Sequence, residues 1–524
     1  MIKTHLLEGV CVSLLGLDIG TTGTKASIFD EGGDRLSDAY REYPLHHPQP
    51  GWIELDPVEV WEAVREAVSE AAGRVPSDPV RAMAISVLGE AAVPVEADGT
   101  PLENSILGFD NRAAGLFEEW MDEMDAGEIM RITGQPPSQM FTLAKLMWIK
   151  WNRADLYRRM DRYVTFGGFA QVQMGLEPHV DYSMAARTMA FDIHRKRYSE
   201  RICEAAEVDP DKFCPAVPTG HVVGALGRRA AGELGLPEGC LVCAGSHDQP
   251  AGALGSGVTR GGVAMDATGT VECFAVAMDQ PAVNDTMLEN NLACYPHAVP
   301  DRFVSIAYNF TGGALLRWAR DTFGGIEKQR AEETGTDPYE ALIEQMPDQP
   351  TDILVQPHFT MAGTPYMDPD PVGGILGLTL STTRGQFLRA LLEGVSYEMK
   401  LNLEILERAG VSVREFRAVG GGAKSDFWLQ LKADVYNRPV SRLEVAEAAS
   451  FGMALVAGEG AGVYESAAQA AEKLINVRET FQPRPEHAEI YDEMFGRYRR
   501  LRPALKQWQQ NTNYGEVQHD EQDR

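Results

Sequence analysis

Apolar residues gather into short continuous runs that alternate with stretches of helical spacing, so strands and helices follow one another along most of the chain. The run Val10–Leu17 predicts a buried strand that ends in Asp18-Ile19-Gly20-Thr21-Thr22-Gly23-Thr24-Lys25. A second run, Ala26–Phe29, follows at once, and the Gly/Thr segment reads as a tight turn between paired strands. Pro57–Ala72 carries apolar residues at helical spacing, and Val80–Leu88 reads as another buried strand. The alternation predicts an α/β architecture.

The opening pattern recurs about 250 residues later, a period too long for a solenoid and suited to duplicated domains. Val263-Ala264-Met265-Asp266-Ala267-Thr268-Gly269-Thr270 again delivers an Asp into a Gly/Thr turn, and a strand, Val271–Ala277, leaves it. Glycines at 255–262 supply a flexible boundary. The expected organisation is a first domain over 10–257, a second over 258–500, and a disordered tail over 501–524, where the periodicity ends.

The 524-residue length fits two large domains. With 44% apolar and 24% charged residues the balance is globular. A net charge of −28 argues against nucleic acid, whose phosphates it would repel. ATP is not excluded, because a local nest of amides with Mg²⁺ overrides a distant field. Seven scattered cysteines include one CxxC, Cys240 to Cys243, with no second metal-ligand pair, so buried thiols in a reducing cytoplasm are expected. Glu8 and Gly9 interrupt the N-terminal apolar stretch, which is no signal peptide, and no uncharged run reaches the roughly 18 residues of a membrane span. A cytoplasmic protein with no membrane partner is expected, with assembly as a homodimer left open.

Glycines let backbone N–H groups approach phosphates, threonines add hydroxyl donors, and an Asp at a strand end can hold Mg²⁺. Either Asp/Gly/Thr turn alone reads equally as a hairpin tip; two of them point to phosphate binding. Gly420-Gly421-Gly422-Ala423-Lys424-Ser425 fails the Walker pattern, since Ala418 and Ala423 replace its glycines. It reads instead as a strand end opening a helix over Ser425–Tyr436, which can face a nucleotide. A further strand, Leu241–Ala244, ends in Gly245-Ser246-His247-Asp248-Gln249-Pro250. Asp248 is either the carboxylate that accepts a hydroxyl proton in phosphoryl transfer or a helix cap. His46-His47 reads as a solvated turn, and Met121, Met124 and Met130 as a minor core.

Several motifs, in order, resemble the FGGY family of carbohydrate kinases over roughly residues 12–500. Thr142, Lys145-Leu146-x-Trp148-Ile149 and Asn152 resemble its first signature, with Trp151 at a usually polar place. Gly373-x-Ile375-x-Gly377-Leu378 and Gln386-Phe387-x-x-Ala390-Leu391-Leu392-Glu393 match the second, and Gly420–Ser425 with Trp428, Lys432, Ala433 and Asp434 resembles the adenosine-side segment. The resemblance implies two ribonuclease-H-like (actin-like ATPase) domains with an interdomain active-site cleft for ATP·Mg²⁺ and a small sugar or polyol. It implies Asp248 as catalytic base and Asp18 as the Mg²⁺ residue. It puts Thr21, Thr22, Thr24, Thr268, Gly269 and Thr270 near the phosphates, and Gly312, Gly313, Gly421, Gly422 and Ala423 near the nucleotide. Lys25 is a phosphate contact or an exposed turn lysine.

Xylulokinases usually carry Met-His where this chain has Ala91-Ala92. Of the Arg-Glu pair of glycerol kinases only Glu90 remains, with Gly89 for the arginine and Met140 for an expected tyrosine. Glu90, Asp248 and Gln249 form a sensible polyol-binding set. Asp110 joins them or pairs with Arg112. The substrate expected is a ketose or polyol of three to six carbons; the alternatives are xylulokinase proper, or a non-kinase actin-like ATPase or sugar sensor of the same fold.

Overall fold

The structure is a computed structural model and describes residues 12–444 and 447–512. It is built on two sheets whose topologies repeat. In the first, β1 (Ser13–Ile19), β2 (Gly23–Asp30) and β3 (Arg35–Glu42) form an antiparallel meander. Parallel to β1 runs β4 (Val80–Val87), and with it β6 (Leu241–His247); β5 (Val222–Ala225) closes the edge antiparallel to β6. The strand order is β5-β6-β4-β1-β2-β3.

The second sheet repeats this plan. β7 (Gly262–Thr268), β8 (Glu272–Met278) and, beyond a short β9 (Tyr295–Pro296), β10 (Phe303–Asn309) form the meander. β11 (Val413–Val419) and β12 (Val440–Leu443) run parallel to β7, and β13 (Val477–Phe481) closes the edge antiparallel. The order β9-β10-β8-β7-β11-β12-β13 mirrors the first sheet with one short strand added. β1 and β7 are buried almost throughout, as a strand covered on both faces must be, hence their unbroken apolar runs.

Helices cover the sheets. α1 (Pro57–Gly73) starts at an Asp56 cap with Pro57 in its first turn. α2 (Asp248–Gly255) follows β6 directly. Beyond β10 come α3 (Gly313–Phe323), α4 (Arg384–Arg408), α5 (Asp426–Tyr436) and α6 (Ala448–Gly460). α4 is opened by a Thr383/Gln386 capping box and α5 by Ser425. α6 crosses back: a Cβ at Gly255 would sit 1.8 Å from the Ala448 carbonyl oxygen, and one at Gly16 1.7 Å from that of Ser450. Glycine alone permits α6 to press on both α2 and β1, so the late helix joins the core of the first sheet.

Two sequence expectations change. The strand after Cys240 runs to His247 rather than Ala244, so Gly245–His247 is strand and not turn. The tail expected to be disordered from 501 forms α7 (Leu501–Thr512), because it has apolar and ionic anchors. Leu501 and Arg502 are buried, with the Arg502 guanidinium on Asp368 and 4.1 Å above the Tyr366 ring. The rest of that tail, 513–524, lies outside the described residues, as do Val10 and Cys11 of the first expected strand. Cys240 and Cys243 are buried and unlinked, their thiols pushed up to about 12 by burial. Met124 and Met130 are core residues, and His46 Nε2 lies 2.9 Å from Glu59 Oε2. Among the described residues no helix is long and apolar enough to cross a membrane.

Candidate active site

β1, β4 and β6 run parallel, so their C-terminal ends open on one side of the sheet, where ligands of open α/β sheets collect. Asp18 stands near the end of β1, Glu90 lies just beyond β4, and Asp248 begins α2 directly after β6. Glu90 and Asp248, with Thr21, Gln249, Arg187 and His247, line a cavity of about 170 Å³, and Asp18 lies close enough for its charge to act on Asp248. Phe109, Met140, Ile306, Tyr308 and Phe310 form its apolar wall, and Phe109 of the first domain meets Phe310 of the second edge-on at 5.9 Å.

Asp248 does not cap α2: the cap position is His247, and no side chain bonds to the helix start. Its side chain is 36% exposed, yet that exposure is to the protein-walled cavity. Burial pushes its carboxyl up to about 7, and the neighbouring Asp18 and Glu90 charges add to the shift. Asp18 rises to about 6, chiefly through burial and further through the Glu447 charge, with the nearby Ser86 hydroxyl acting the other way. Asp18 Oδ1, Asp248 Oδ1 and Gln249 Oε1 are buried without a hydrogen-bond partner. Orphaned acceptors on two residues that line the cavity, and on Asp18 beside Asp248, mark a place for a cation or a hydroxyl donor.

Glu90 holds a left-handed backbone, φ 63°, which a non-glycine residue adopts only when its surroundings impose it. Two contacts do so here. Thr142 Oγ1 donates to the Glu90 carbonyl at 2.7 Å, and Arg187 Nε donates to Glu90 Oε1 at 2.6 Å. His247 is buried and held neutral, its pKa driven far down by burial and by Arg187. Its Nδ1 lies 2.9 Å from the Tyr295 hydroxyl and its Nε2 3.0 Å from Asp248 Oδ1, off the line of a hydrogen bond.

The second loop assembles from three segments. Gly312 N donates to Thr270 O at 3.1 Å, and Gly313 N to Gly269 O at 2.9 Å. Gly420, at φ +81°, lies so close that a Cβ would sit 2.6 Å from Thr268 O, and one on Gly422 2.7 Å from Thr268 Cβ. Gly269 and Thr270 are exposed, while Ala423 is buried behind them with its carbonyl accepting from Arg442 Nε at 2.8 Å. In the first loop Thr22 is exposed and Gly20 N donates to Gly23 O at 2.9 Å. The Gly/Thr residues singled out in sequence thus surround two loops.

Four candidates are placed differently from expectation. Thr24 is buried and its hydroxyl donates to Asp18 O at 3.0 Å, so it braces the loop instead of facing a phosphate. Lys25 points from β2 to an ion pair with Glu447, neither an exposed turn lysine nor a free cation. Asp110 has no exposed surface; it accepts from Ile53 N at 2.6 Å and from Arg112 Nε at 2.8 Å, which resolves its two readings in favour of the salt bridge. The Thr268 hydroxyl is committed to Lys432, whose Nζ also lies 2.8 Å from Asp266 Oδ2.

Sequence reasoning missed Arg187, which ends a run of small residues with no local signal of a buried cation. It also looked for an imidazole at 91–92. Ala91 and Ala92 are buried away from the cavity, and the imidazole there comes from His247.

Comparison with known proteins agrees with this geometry. A xylulose kinase of Staphylococcus epidermidis is 28% identical over 496 residues, 94% of this chain and 97% of its own. A glycerol kinase of Methylibium petroleiphilum is 31% identical over 476 residues, 86% and 91% of the two chains. The crystal structure of a xylulose kinase from Rhodospirillum rubrum superposes with a TM-score of 0.84 at 27% identity, covering 95% of this chain and 99% of that one. The models for the N-terminal and C-terminal domains of the FGGY family match residues 13–255 and 264–461. Matched in both halves, the chain belongs to the FGGY family of carbohydrate kinases.

Proposed function

We propose that this kinase transfers the γ-phosphoryl group of ATP to a hydroxyl of a small sugar or polyol, with Asp248 as the base. The reading is carried by one observation: a carboxylate pushed up to about 7 stands at a helix start, its Oδ1 unpartnered, in a cavity lined by Thr21 of the first Gly/Thr loop and by Val271 just after the second. A base works best with a pKa near the working pH, and phosphoryl transfer asks little else of the protein than positioning and charge neutralisation.

In this reading the substrate lies in the cavity with one hydroxyl donating to Asp248 Oδ1. Glu90, Arg187 and Gln249 supply its remaining hydrogen bonds, donors and acceptors together. Backbone amides of the Thr21–Thr22 and Gly269–Thr270 turns receive the phosphates, and Gly312, Gly313, Gly421 and Gly422 leave room for the nucleotide beside them. The orphaned Asp18 Oδ1 fits a Mg²⁺ ion, which supplies charge neutralisation to the phosphates when bound. Among the described residues no group of three or more His, Cys, Asp or Glu could hold a metal alone, so Asp18 would share the ion with phosphate oxygens and water. The Phe109–Phe310 contact joins the domains across the cavity and keeps competing water from the phosphoryl group. In this reading the kinase meets its ATP and its sugar in the cytoplasm.

An ADP-release screen over glycerol, tetritols, pentitols, ketopentoses, ketohexoses and sugar acids tests this reading. Sugar-dependent ADP with a phosphorylated product is expected. ATP hydrolysis that ignores every sugar, or no nucleotide turnover at all, would overturn it.

A further inference from the structure

Behind the base lie two buried residues, His247 and Tyr295. His247 is the last residue of β6, and its backbone N–H donates to Ser183 Oγ at 2.9 Å. Its ring is closely walled: a Cβ on Gly89 would sit 2.8 Å from Nε2, so glycine at 89 is what leaves the imidazole room. Tyr295 has no exposed surface and does not line the reaction cavity. It stands on β9, in the sheet of the second domain, whereas His247 and Asp248 belong to the first. The 2.9 Å contact between the Tyr295 hydroxyl and His247 Nδ1 therefore crosses from one domain to the other.

Which ring nitrogen carries the proton follows from the neighbours. His247 is neutral, because burial and the Arg187 guanidinium both oppose a second proton. Its Nε2 lies 3.0 Å from Asp248 Oδ1, and an ionised carboxylate only accepts. A bare lone pair on Nε2 would face a negative oxygen at that distance. With the proton on Nε2 the contact is attractive, and Nδ1 is left to accept from the Tyr295 hydroxyl.

The ring and the carboxylate differ in freedom. His247 is buried and anchored at Nδ1, whereas the Asp248 side chain is 36% exposed to the cavity and its Oδ1 is unpartnered. A turn of that carboxylate brings Oδ1 onto the line of Nε2–H. Catalytic hydrogen bonds commonly tighten in this way when substrate arrives.

We propose that Tyr295 and His247 are positioning residues for the base: the Tyr295 hydroxyl holds His247 as its Nε2–H tautomer, and Nε2–H aligns Asp248 Oδ1 for the incoming hydroxyl. The proposal rests on the kinase reading and adds two residues to it. A carboxylate offers about four lone-pair sites, so one bond from His247 leaves Oδ1 a second for the substrate. The imidazole keeps its own proton throughout, and the hydroxyl proton goes to Asp248. Because Tyr295, His247 and Asp248 span both domains, the base is aligned only while the domains hold this arrangement. Separation of the domains frees the imidazole and leaves the base unaligned, which spares ATP from water until the sugar is enclosed.

The test compares kcat and KM with a sugar that the unaltered enzyme phosphorylates. Tyr295→Phe keeps the ring and removes only the hydroxyl. It should lower kcat about tenfold, the scale of one hydrogen bond, and move KM for the sugar less than about twofold, since Tyr295 does not line the cavity. His247→Leu should lower kcat about 10²-fold, as misplacement of a reacting group does. In that background Tyr295→Phe should cost less than about twofold more, because the ring it acts through is gone. An unmoved kcat in Tyr295→Phe, or a tenfold loss repeated in the His247→Leu background, would overturn the link and leave the kinase standing. Nitrogen-15 NMR of the histidine rings reads the same link without turnover. The His247 signals, identified by their absence from His247→Gln, should show the proton on Nε2, and the Nδ1 signal should shift in Tyr295→Phe. A proton on Nδ1, or an Nδ1 signal indifferent to the hydroxyl, would overturn the proposal. If nothing is phosphorylated, the kinase reading fails and this spectrum alone decides the link.

Discussion

Asp18 and Asp266 hold equivalent places, each near the end of the central strand of its sheet and each before a Gly/Thr turn, yet their surroundings differ in charge. Asp266 is sealed in with a cation: Lys432 Nζ lies 2.8 Å from Asp266 Oδ2 and 3.0 Å from Glu272 Oε1, and Tyr436 donates to Glu272 at 3.1 Å. All four side chains are buried. Asp18 has no such partner. The lysine beside it, Lys25, is drawn off to Glu447, and one carboxylate oxygen is left bare. In the second domain the acid is spent on holding the loop in place. In the first it is kept unsatisfied, and that unmet demand is what a cation would meet.

Exchanging the roles of the two acids should break the comparison most visibly. Asp18→Asn should cut kcat on the order of 10²–10³-fold, the scale seen when one electrostatic contact to a reacting group is lost. Its Tm should hold or rise, because a buried, unpaired charge has gone. Unchanged kcat at saturating Mg²⁺ would remove Asp18 from the site. Lys432→Met should act in the opposite way. It strands two buried carboxylates and should cost about 3–5 kcal/mol of stability, read by denaturant unfolding. A loss below about 1 kcal/mol would mean the network is not what holds the second loop.

The pH dependence sharpens the same contrast. Asp248 must be ionised to accept a proton, so kcat/KM should fall as pH drops below about 7. The Asp18 charge helps raise Asp248, so in Asp18→Asn the residual activity should keep its acid limb at a lower pH. Stability runs the other way. Carboxyls raised in the folded state favour folding at low pH, and that contribution is lost as pH climbs through about 6 for Asp18 and about 7 for Asp248. Ligand-free protein should therefore lose Tm over this window, and Asp18→Asn should lose less. The smallest effect belongs to Lys25→Met: a half-exposed ion pair is worth about 1 kcal/mol or less, and KM for ATP should move less than about twofold. A tenfold rise would return Lys25 to the phosphates.

What was legible in the sequence was local. Strands buried on both faces announce themselves as apolar runs, and glycines at forced approaches mark where loops meet. The doubled Asp/Gly/Thr pattern therefore exposed the duplicated topology and both loops, and Ser425 opens α5 where the helix was expected. Pairings across the chain were not legible. Lys432 meets Asp266 across 166 residues, and Arg187 meets Glu90 across 97. Nothing within a few positions of either cation separates a buried ion pair from a solvated surface charge. For the same reason Lys25 and Thr24 looked available for phosphate until their partners were in view. The α7 helix was missed because its anchors, Asp368 and Tyr366, lie far upstream.

The account turns on the Asp248 carboxylate, and its replacement by an amide of the same shape is the most direct trial. In single-turnover mixing with a sugar that the unaltered enzyme phosphorylates, Asp248→Asn should form product about 10²–10⁴-fold more slowly while calorimetry finds ATP binding unchanged. Transfer at an undiminished rate would show that another group takes the proton.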